Sequence, residues 1–168
     1  MQIRKLEKAD DLEGFSSGAV DLDDWFVRFA WENQQANNAV TYVCVDDTGK
    51  VLGFYSVAMG GVGKASAPTK VGKNRPSIIP CVLLARLAVN KTSQGSGIGR
   101  KLLTDAFKRT VLLSTGIGAA VLLIHCRDEH ARAFYTSLSE FQESPTDQMH
   151  LMITIKDIKR AAASADRG

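Results

Sequence analysis

Gln94-Gly95-Ser96-Gly97-Ile98-Gly99-Arg100-Lys101 is the stretch of this 168-residue chain whose residue types and spacing could bind an anion. Glycines let a backbone approach a ligand closely, and several N–H groups can then point the same way. A helix starting here would add partial positive charge at the same spot. Arg100 and Lys101 stand where a helix start would ordinarily carry acids, an inversion that makes sense if a phosphate occupies the helix end. Two common phosphate loops fail on spacing. A P-loop needs Gly-Lys-Ser/Thr, which does not occur in the chain. A dinucleotide fingerprint needs a third glycine at position 100, which is arginine, and an acid roughly twenty residues on, where Ile117 to Ile124 has none. A glycine-rich connection that holds no ligand is the other reading open at this point.

Several elements must position this loop. Cys81 to Val89 is an apolar run that reads as a strand buried on both faces, followed by a short polar connection, Asn90 to Ser93. After the glycines, Ile98, Leu102, Ala106 and Thr110 recur four apart, one side of a helix. Upstream, Gln2 to Leu6 is a short strand, and Asp21 is expected to cap a helix whose apolar face is Leu22, Trp25, Phe26, Phe29 and Ala30. Asn37-Asn38 ends that helix. Thr41–Val45 and Val51–Met59 form a hairpin about Asp46–Lys50, and Gly60–Ser77 reads as a long Gly/Lys/Pro loop. Downstream, Ala119–Cys126 is a buried strand. Asp128 caps a helix through Ala131, Phe134, Tyr135 and Leu138, and strands follow near Phe141–Glu143 and Met149–Ile155. Arg160–Gly168 is expected as a flexible polar tail.

Length and composition suit one domain, residues 1–168, with 45% hydrophobic residues to fill its core. No run approaches the roughly 20 apolar residues of a membrane span, and the first residues, MQIRKLEKADDLEG, hold no apolar secretory core. Cys44, Cys81 and Cys126 are odd in number and scattered, which suggests buried thiols in a reducing compartment. The three histidines form no ligand spacing with them, so no metal is expected and a cytoplasmic location is. The formal charge of +3 conceals a block between Gly60 and Thr110 with ten basic residues and one acid, Asp105. A one-signed block around a phosphate loop suggests a polyanionic partner; a solvated basic loop is the alternative. Lys73 and Arg75 on the long loop, and Arg86 within the apolar run, are candidates to meet that partner. Arg86 could instead be paired with an acid in the fold.

Gln-x-x-Gly-x-Gly at Gln94, Gly97 and Gly99, after a strand ending Leu87-Ala88-Val89, resembles the acetyl-CoA pyrophosphate loop of the GNAT N-acetyltransferases. The element order (strand–helix–three strands–helix–strand–helix–two strands) is similar to the GNAT fold over roughly Leu12 to Ile158. FSSGAVDLDDWFVRFAWENQQ, TYVCVDDTGKVLGFYSV, IPCVLLARLAV and ESPTDQMHLMITIKDI resemble the GNAT toxins of bacterial type II toxin–antitoxin modules, which acetylate aminoacyl-tRNA. The resemblance implies an α/β (α+β) fold, a central mixed, mostly antiparallel sheet flanked by helices. It implies acetyl-CoA as co-substrate, with Leu87, Ala88 and Val89 offering main-chain groups to its pantetheine arm. Gln94, Gly95, Ser96, Gly97, Ile98, Gly99, Arg100 and Lys101 would hold its pyrophosphate. Tyr135 matches the family's catalytic tyrosine, while Lys73, Arg75 and Arg86 would contact tRNA. The expected partners are aminoacyl-tRNA, an antitoxin of ribbon-helix-helix type and a second copy of the chain, with no membrane. One departure stands out: the family commonly has Gly-Phe shortly after the tyrosine, whereas Ser137-Leu138-Ser139-Glu140-Phe141 has no glycine and is one residue longer.

Acetyl transfer needs a neutral amine, a polarised thioester and a proton for the leaving thiolate. A phenol titrates near ~10, so Tyr135 is protonated at neutral pH and can supply that proton. A helix tyrosine with its hydroxyl at the surface is the competing reading. No carboxylate or histidine is marked by position as a general base; His125, His130 and Glu129 flank the site in sequence only. An α-amine, with a pKa of about 7.7–8.0, is substantially neutral at physiological pH, whereas a lysine amine near ~10.4 is not. Without a strong base, an α-amine such as that of an aminoacyl ester is the favoured acceptor. Two alternatives stand: a GNAT enzyme for a small amine or protein N-terminus, and a non-catalytic CoA-binding module.

Overall fold

Seven strands, several of them near-continuous apolar runs, form one sheet ordered β1-β2-β3-β4-β5-β7-β6 in this computed structural model, which describes residues 1–165. In chain order the elements are β1 (Gln2–Lys5), α1 (Val20–Gln35), β2 (Val40–Val45), β3 (Val51–Gly63), α2 (Thr69–Gly72) and β4 (Ile78–Val89). There follow α3 (Ile98–Ser114), β5 (Val121–His125), α4 (Glu129–Leu138), β6 (Gln142–Glu143), β7 (His150–Thr154) and α5 (Ile155–Ala165). The pairs β1/β2, β2/β3, β5/β7 and β6/β7 are antiparallel. The expected α/β architecture, with a mostly antiparallel sheet flanked by helices, is therefore present.

The chain forms two compact units. The first comprises Met1–Ala58 and Leu84–Ala106, the second Met59–Leu83 and the described residues from Phe107 to Ala165. In the first unit Phe26 stacks on Phe54 at 3.9 Å, with Phe15 edge-on to Phe26 at 4.9 Å. Val43, Val45, Val51 and Ala88 complete that core. Such ring pairs add about 0.5–1.5 kcal/mol each beyond their buried area. The second unit packs Val62, Val71, Ile79, Cys81, Val121, Leu123 and Met152.

Four local expectations are corrected. Asp21 does not cap α1: the cap position is Ala19, with no side-chain bond, and Asp21 lies in the first turn. Asp23 instead reaches back, its carboxylate accepting from the Ser17 N–H at 3.0 Å and the Ser17 hydroxyl at 2.6 Å. The buried face of α1 is Phe26 and Ala30 with Leu22 and Trp25 half-buried, while Phe29 is 46% exposed. Gly60–Ser77 is no structureless loop, because β3 runs to Gly63, a 3₁₀ turn spans Lys64–Ser66, and α2 buries Val71. The apolar pair Ala67 and Val71, four apart, supplies the anchor. At the other end, Arg160–Ala165 continue α5 rather than forming the expected tail, and 166–168 lie outside the described residues.

Candidate active site

The phosphate-loop candidate belongs to the first unit. β4 ends at Val89, a 3₁₀ turn covers Lys91–Ser93, and α3 opens at Ile98. Asn90 organises the turn: its N–H donates to the Leu52 carbonyl at 2.8 Å, and its side-chain oxygen accepts from the Thr92 N–H at 3.4 Å. Gly95 and Gly97 have φ of 78° and 86°, left-handed conformations that a side chain strains. A β-carbon on either would meet nothing within 4 Å, so open space lies beside both residues. The helix behind the loop is seated as its spacing predicts, with Ile98, Leu102, Ala106 and Thr110 all buried.

Two predicted ligands have contacts of their own. The Gln94 side-chain amide donates to the Val89 carbonyl at 3.0 Å and the Ser17 carbonyl at 2.8 Å, tying the loop to the strand end and to the segment before α1. Its contribution is to fix the loop's shape. Lys101, on the first turn of α3, sets its ammonium 3.6 Å from the Met1 sulfur, and Arg100 is exposed. The first turn of α3 holds no acid. Positive φ at two glycines, open space beside them, a helix start and Arg100 together suit a pyrophosphate. Leu87 and Val89 are half-buried at the end of β4, with Ala88 buried between them.

Gly53, on β3, is a residue that pattern reading overlooks. A β-carbon there would lie 2.9 Å from the Ala88 carbonyl oxygen and 3.0 Å from a Leu102 methyl. A glycine inside a strand run is the signal that could have found it.

Tyr135 belongs to the second unit. Asp128 caps α4 as expected, accepting from the Ala131 N–H at 2.8 Å, and the helix turns Tyr135 inward to 6% exposure. The surface-tyrosine reading is thereby excluded. Among the described residues none hydrogen-bonds its hydroxyl, which is not fully sealed from solvent. Burial, joined by the neighbouring Cys126 thiol, pushes its pKa above the ordinary phenol range. The missing glycine after the tyrosine has a local explanation. α4 leaves through Ser139 in an extended conformation, φ −159°, which any residue adopts, and Phe141 then packs edge-on to Tyr135 at 6.4 Å.

The basic candidates divide. Lys73 and Arg75 are exposed just after α2, flanking Asn74, whose φ is 61°. The carbonyl of Arg75 accepts from the Lys64 ammonium at 3.2 Å. Arg86, in the first unit, is half-buried with its guanidinium 3.9 Å over the Trp25 ring. Burial lowers its pKa while the charge of Asp21 opposes the shift. Lys70, another member of the basic block, is tied to Asp157 at 2.9 Å. Among the described residues no group of three or more His, Cys, Asp or Glu is placed to hold a metal, and no helix is long and apolar enough to cross a membrane.

A glycine loop that suits pyrophosphate and an inward-turned tyrosine whose hydroxyl no described residue bonds are the equipment of a CoA-dependent acyltransferase. Residues 37–138 match the acetyltransferase (GNAT) domain, and the chain belongs to that family. It is an N-acetyltransferase that uses acetyl-CoA. It is 42% identical over 156 residues, 93% of each chain, to a tRNA-acetylating toxin of Mycobacterium tuberculosis. It is 29% identical to the probable toxin TacT of Sinorhizobium fredii, over 89% of this chain and 87% of that one. The structure of AtaT complexed with acetyl-methionyl-tRNAfMet superposes with a TM-score of 0.87 at 26% identity, covering 95% of this chain and 98% of that one. A crystal structure of AtaTR bound with AcCoA gives 0.83 at 27% identity, covering 95% and 96%.

Proposed function

We propose that this N-acetyltransferase acetylates the α-amino group of aminoacyl-tRNA and thereby blocks translation. The observation that carries the reading is Tyr135, its ring buried and its hydroxyl without a hydrogen-bond partner among the described residues, in a chain 42% identical to a tRNA-acetylating toxin. In this reading, when acetyl-CoA is bound it supplies a thioester. The residues Gln94 to Lys101 hold its pyrophosphate with N–H groups, and the main chain of Leu87, Ala88 and Val89 aligns its pantetheine arm. Tyr135 gives its proton to the departing sulfur; its raised pKa keeps that proton in place throughout the neutral range. Lys73, Arg75 and Arg86 bind tRNA through phosphates, which position RNA without reading its sequence. The matched family region, residues 37–138, draws on both compact units, which supports a single working domain. The proposed partners are a ribbon-helix-helix antitoxin and a second copy of the chain, in the cytoplasm; a structure of AtaT bound to the C-terminus of the antitoxin AtaR is similar in fold.

The test is incubation with acetyl-CoA and total charged tRNA, followed by mass analysis of the released aminoacyl groups. N-acetylated aminoacyl groups are expected. Acetylation of small amines or peptide N-termini with every charged tRNA left untouched would replace this reading with the alternative acceptor class.

A further inference from the structure

In the first unit the segment before α1 lies against the turn that leads into the glycine loop. Lys91 donates its N–H to the Ser16 carbonyl at 2.8 Å, and the Gln94 side-chain amide donates to the Ser17 carbonyl at 2.8 Å. Gly18 comes next, with φ of 98°. The space that a side chain would fill there is taken by the stem of Lys91. Its Cε stands 3.0 Å, and its Nζ 4.0 Å, from the position of a β-carbon on Gly18. Lys91 and Gln94 thus leave one turn and end on consecutive residues, so the Lys91 ammonium is set beside the side chain that shapes the loop.

An exposed lysine ordinarily keeps its rotamer freedom and sits among charges of both signs. Here the stem is seated on backbone, and no acid occurs from Asn90 to Leu103. Among the described residues neither a carboxylate nor a carbonyl is bonded to the Lys91 ammonium. Asp23, the carboxylate that reaches this segment, is turned to the N–H and hydroxyl of Ser17 at 3.0 and 2.6 Å. The other cations of the loop are placed differently. Arg100 follows the glycines in the first turn of α3, and the Lys101 ammonium rests 3.6 Å from the Met1 sulfur.

We propose that Lys91 binds the 3′-phosphate of acetyl-CoA, with Gly18 as the residue that positions its ammonium. This deepens the reading of the glycine loop and rests on it. Acetyl-CoA presents two anionic groups of different chemistry. Its pyrophosphate suits an array of neutral N–H donors at a helix start. Its ribose 3′-phosphate is a monoester with a charge of about −1.5 to −2 at neutral pH, which calls for a full cation. Lysine supplies a compact charge that meets phosphate as a point rather than as a planar fork. In this reading the pyrophosphate is held by the loop's own N–H groups with Arg100. The cation on the loop's other flank is then left for the ligand's second anionic group. A stem already seated over Gly18 has less freedom to lose when the phosphate arrives.

The test is calorimetry of the full chain with acetyl-CoA and with acetyl-3′-dephospho-CoA. The wild-type protein should bind the first roughly tenfold more tightly, the order of one charge-assisted contact, and added salt should shrink the preference. Lys91→Met keeps the stem and removes the charge. It should lose roughly tenfold in acetyl-CoA affinity and nothing for the dephospho form. Lys91→Arg should restore most of the preference. Gly18→Ala, whose methyl group takes the stem's place, should reduce the preference with Lys91 itself intact. Equal affinity of the wild type for the two ligands overturns the proposal. So does a Lys91→Met variant that weakens both alike, which would give Lys91 to the pyrophosphate, or one that weakens only charged tRNA. Gly97→Val tests the loop separately. If it leaves acetyl-CoA affinity intact while Lys91→Met still erases the preference, the pyrophosphate assignment fails and the 3′-phosphate site stands.

Discussion

A β-carbon on Gly53 would sit 2.9 Å from the carbonyl oxygen of Ala88, closer than such atoms ever approach. Gly53 is thus the space that lets α3, through Ile98 and Leu102, lie directly on β3, and α3 begins where the phosphate loop ends. Gly53→Ala should therefore cost about 1–3 kcal/mol of stability, the usual range for overpacking a core. It should also weaken acetyl-CoA binding in the fraction that stays folded. Denaturant melts and calorimetry check both; a variant with unchanged midpoint and affinity would mean that α3 tolerates displacement.

Gly97 gives a sharper test of the loop, because open space surrounds it and only its φ of 86° demands glycine. Gly97→Val should cost roughly 1–2 kcal/mol of backbone strain. It should abolish measurable acetyl-CoA binding, since a branched side chain would project into the space proposed for phosphate. Paired with Gly99→Val it should leave far-UV circular dichroism unchanged. Undiminished affinity by calorimetry would move the pyrophosphate elsewhere.

Tyr135→Phe should lower turnover by about 10²–10⁴-fold, the range for a general acid, with acetyl-CoA affinity nearly unchanged. The pH dependence follows from the direction of its shift. A donor works in its protonated form, below its pKa, and burial has raised this one. Turnover should show no alkaline decline from loss of this proton up to about pH 10, the ordinary phenol value. A decline centred near pH 8 to 9 that Tyr135→Phe abolishes would contradict the buried position.

Lys73→Ala with Arg75→Ala should flatten the salt dependence of tRNA binding. Each phosphate neutralised contributes a slope of about −0.7 to −0.9, so the double variant should lose roughly one to two units and weaken different tRNAs alike. Acetyl-CoA affinity should stay constant, because both side chains lie on the segment after α2, apart from the glycine loop in sequence. An unaltered slope in filter binding would place RNA on another surface.

The glycine loop and the buried face of α3 were readable because each depends on local rules: φ demands at glycine, and a repeat of four at Ile98, Leu102, Ala106 and Thr110. Asp128 as a cap was readable for the same reason. Asp21 failed because Ser17 supplied Asp23 with a better partner, so the helix began earlier. Phe29 failed because the apolar face of α1 was drawn one residue too wide, beyond what Phe15 and Phe54 can cover. The depth of Tyr135 was not readable, since the burial of a helix residue depends on what packs over it, here Phe141. The stacking of His125 on His150, with ring centroids 3.9 Å apart, was equally hidden: it exists only through the register of β5 with β7.

Cys44, Cys81 and Cys126 are buried and free, and burial raises each thiol's pKa, Cys81 and Cys126 to about 11. At neutral pH about one in 10⁴ of the latter two is thiolate, the form that reacts with disulfide and maleimide dyes. Acetyl transfer liberates a free, fully solvated thiol from acetyl-CoA with every turnover. The folded enzyme is therefore nearly silent to thiol dyes while its product is not, so a continuous colorimetric count of turnovers should be possible without mutating a single cysteine. The same silence turns a sudden rise in enzyme labelling into a direct readout of unfolding.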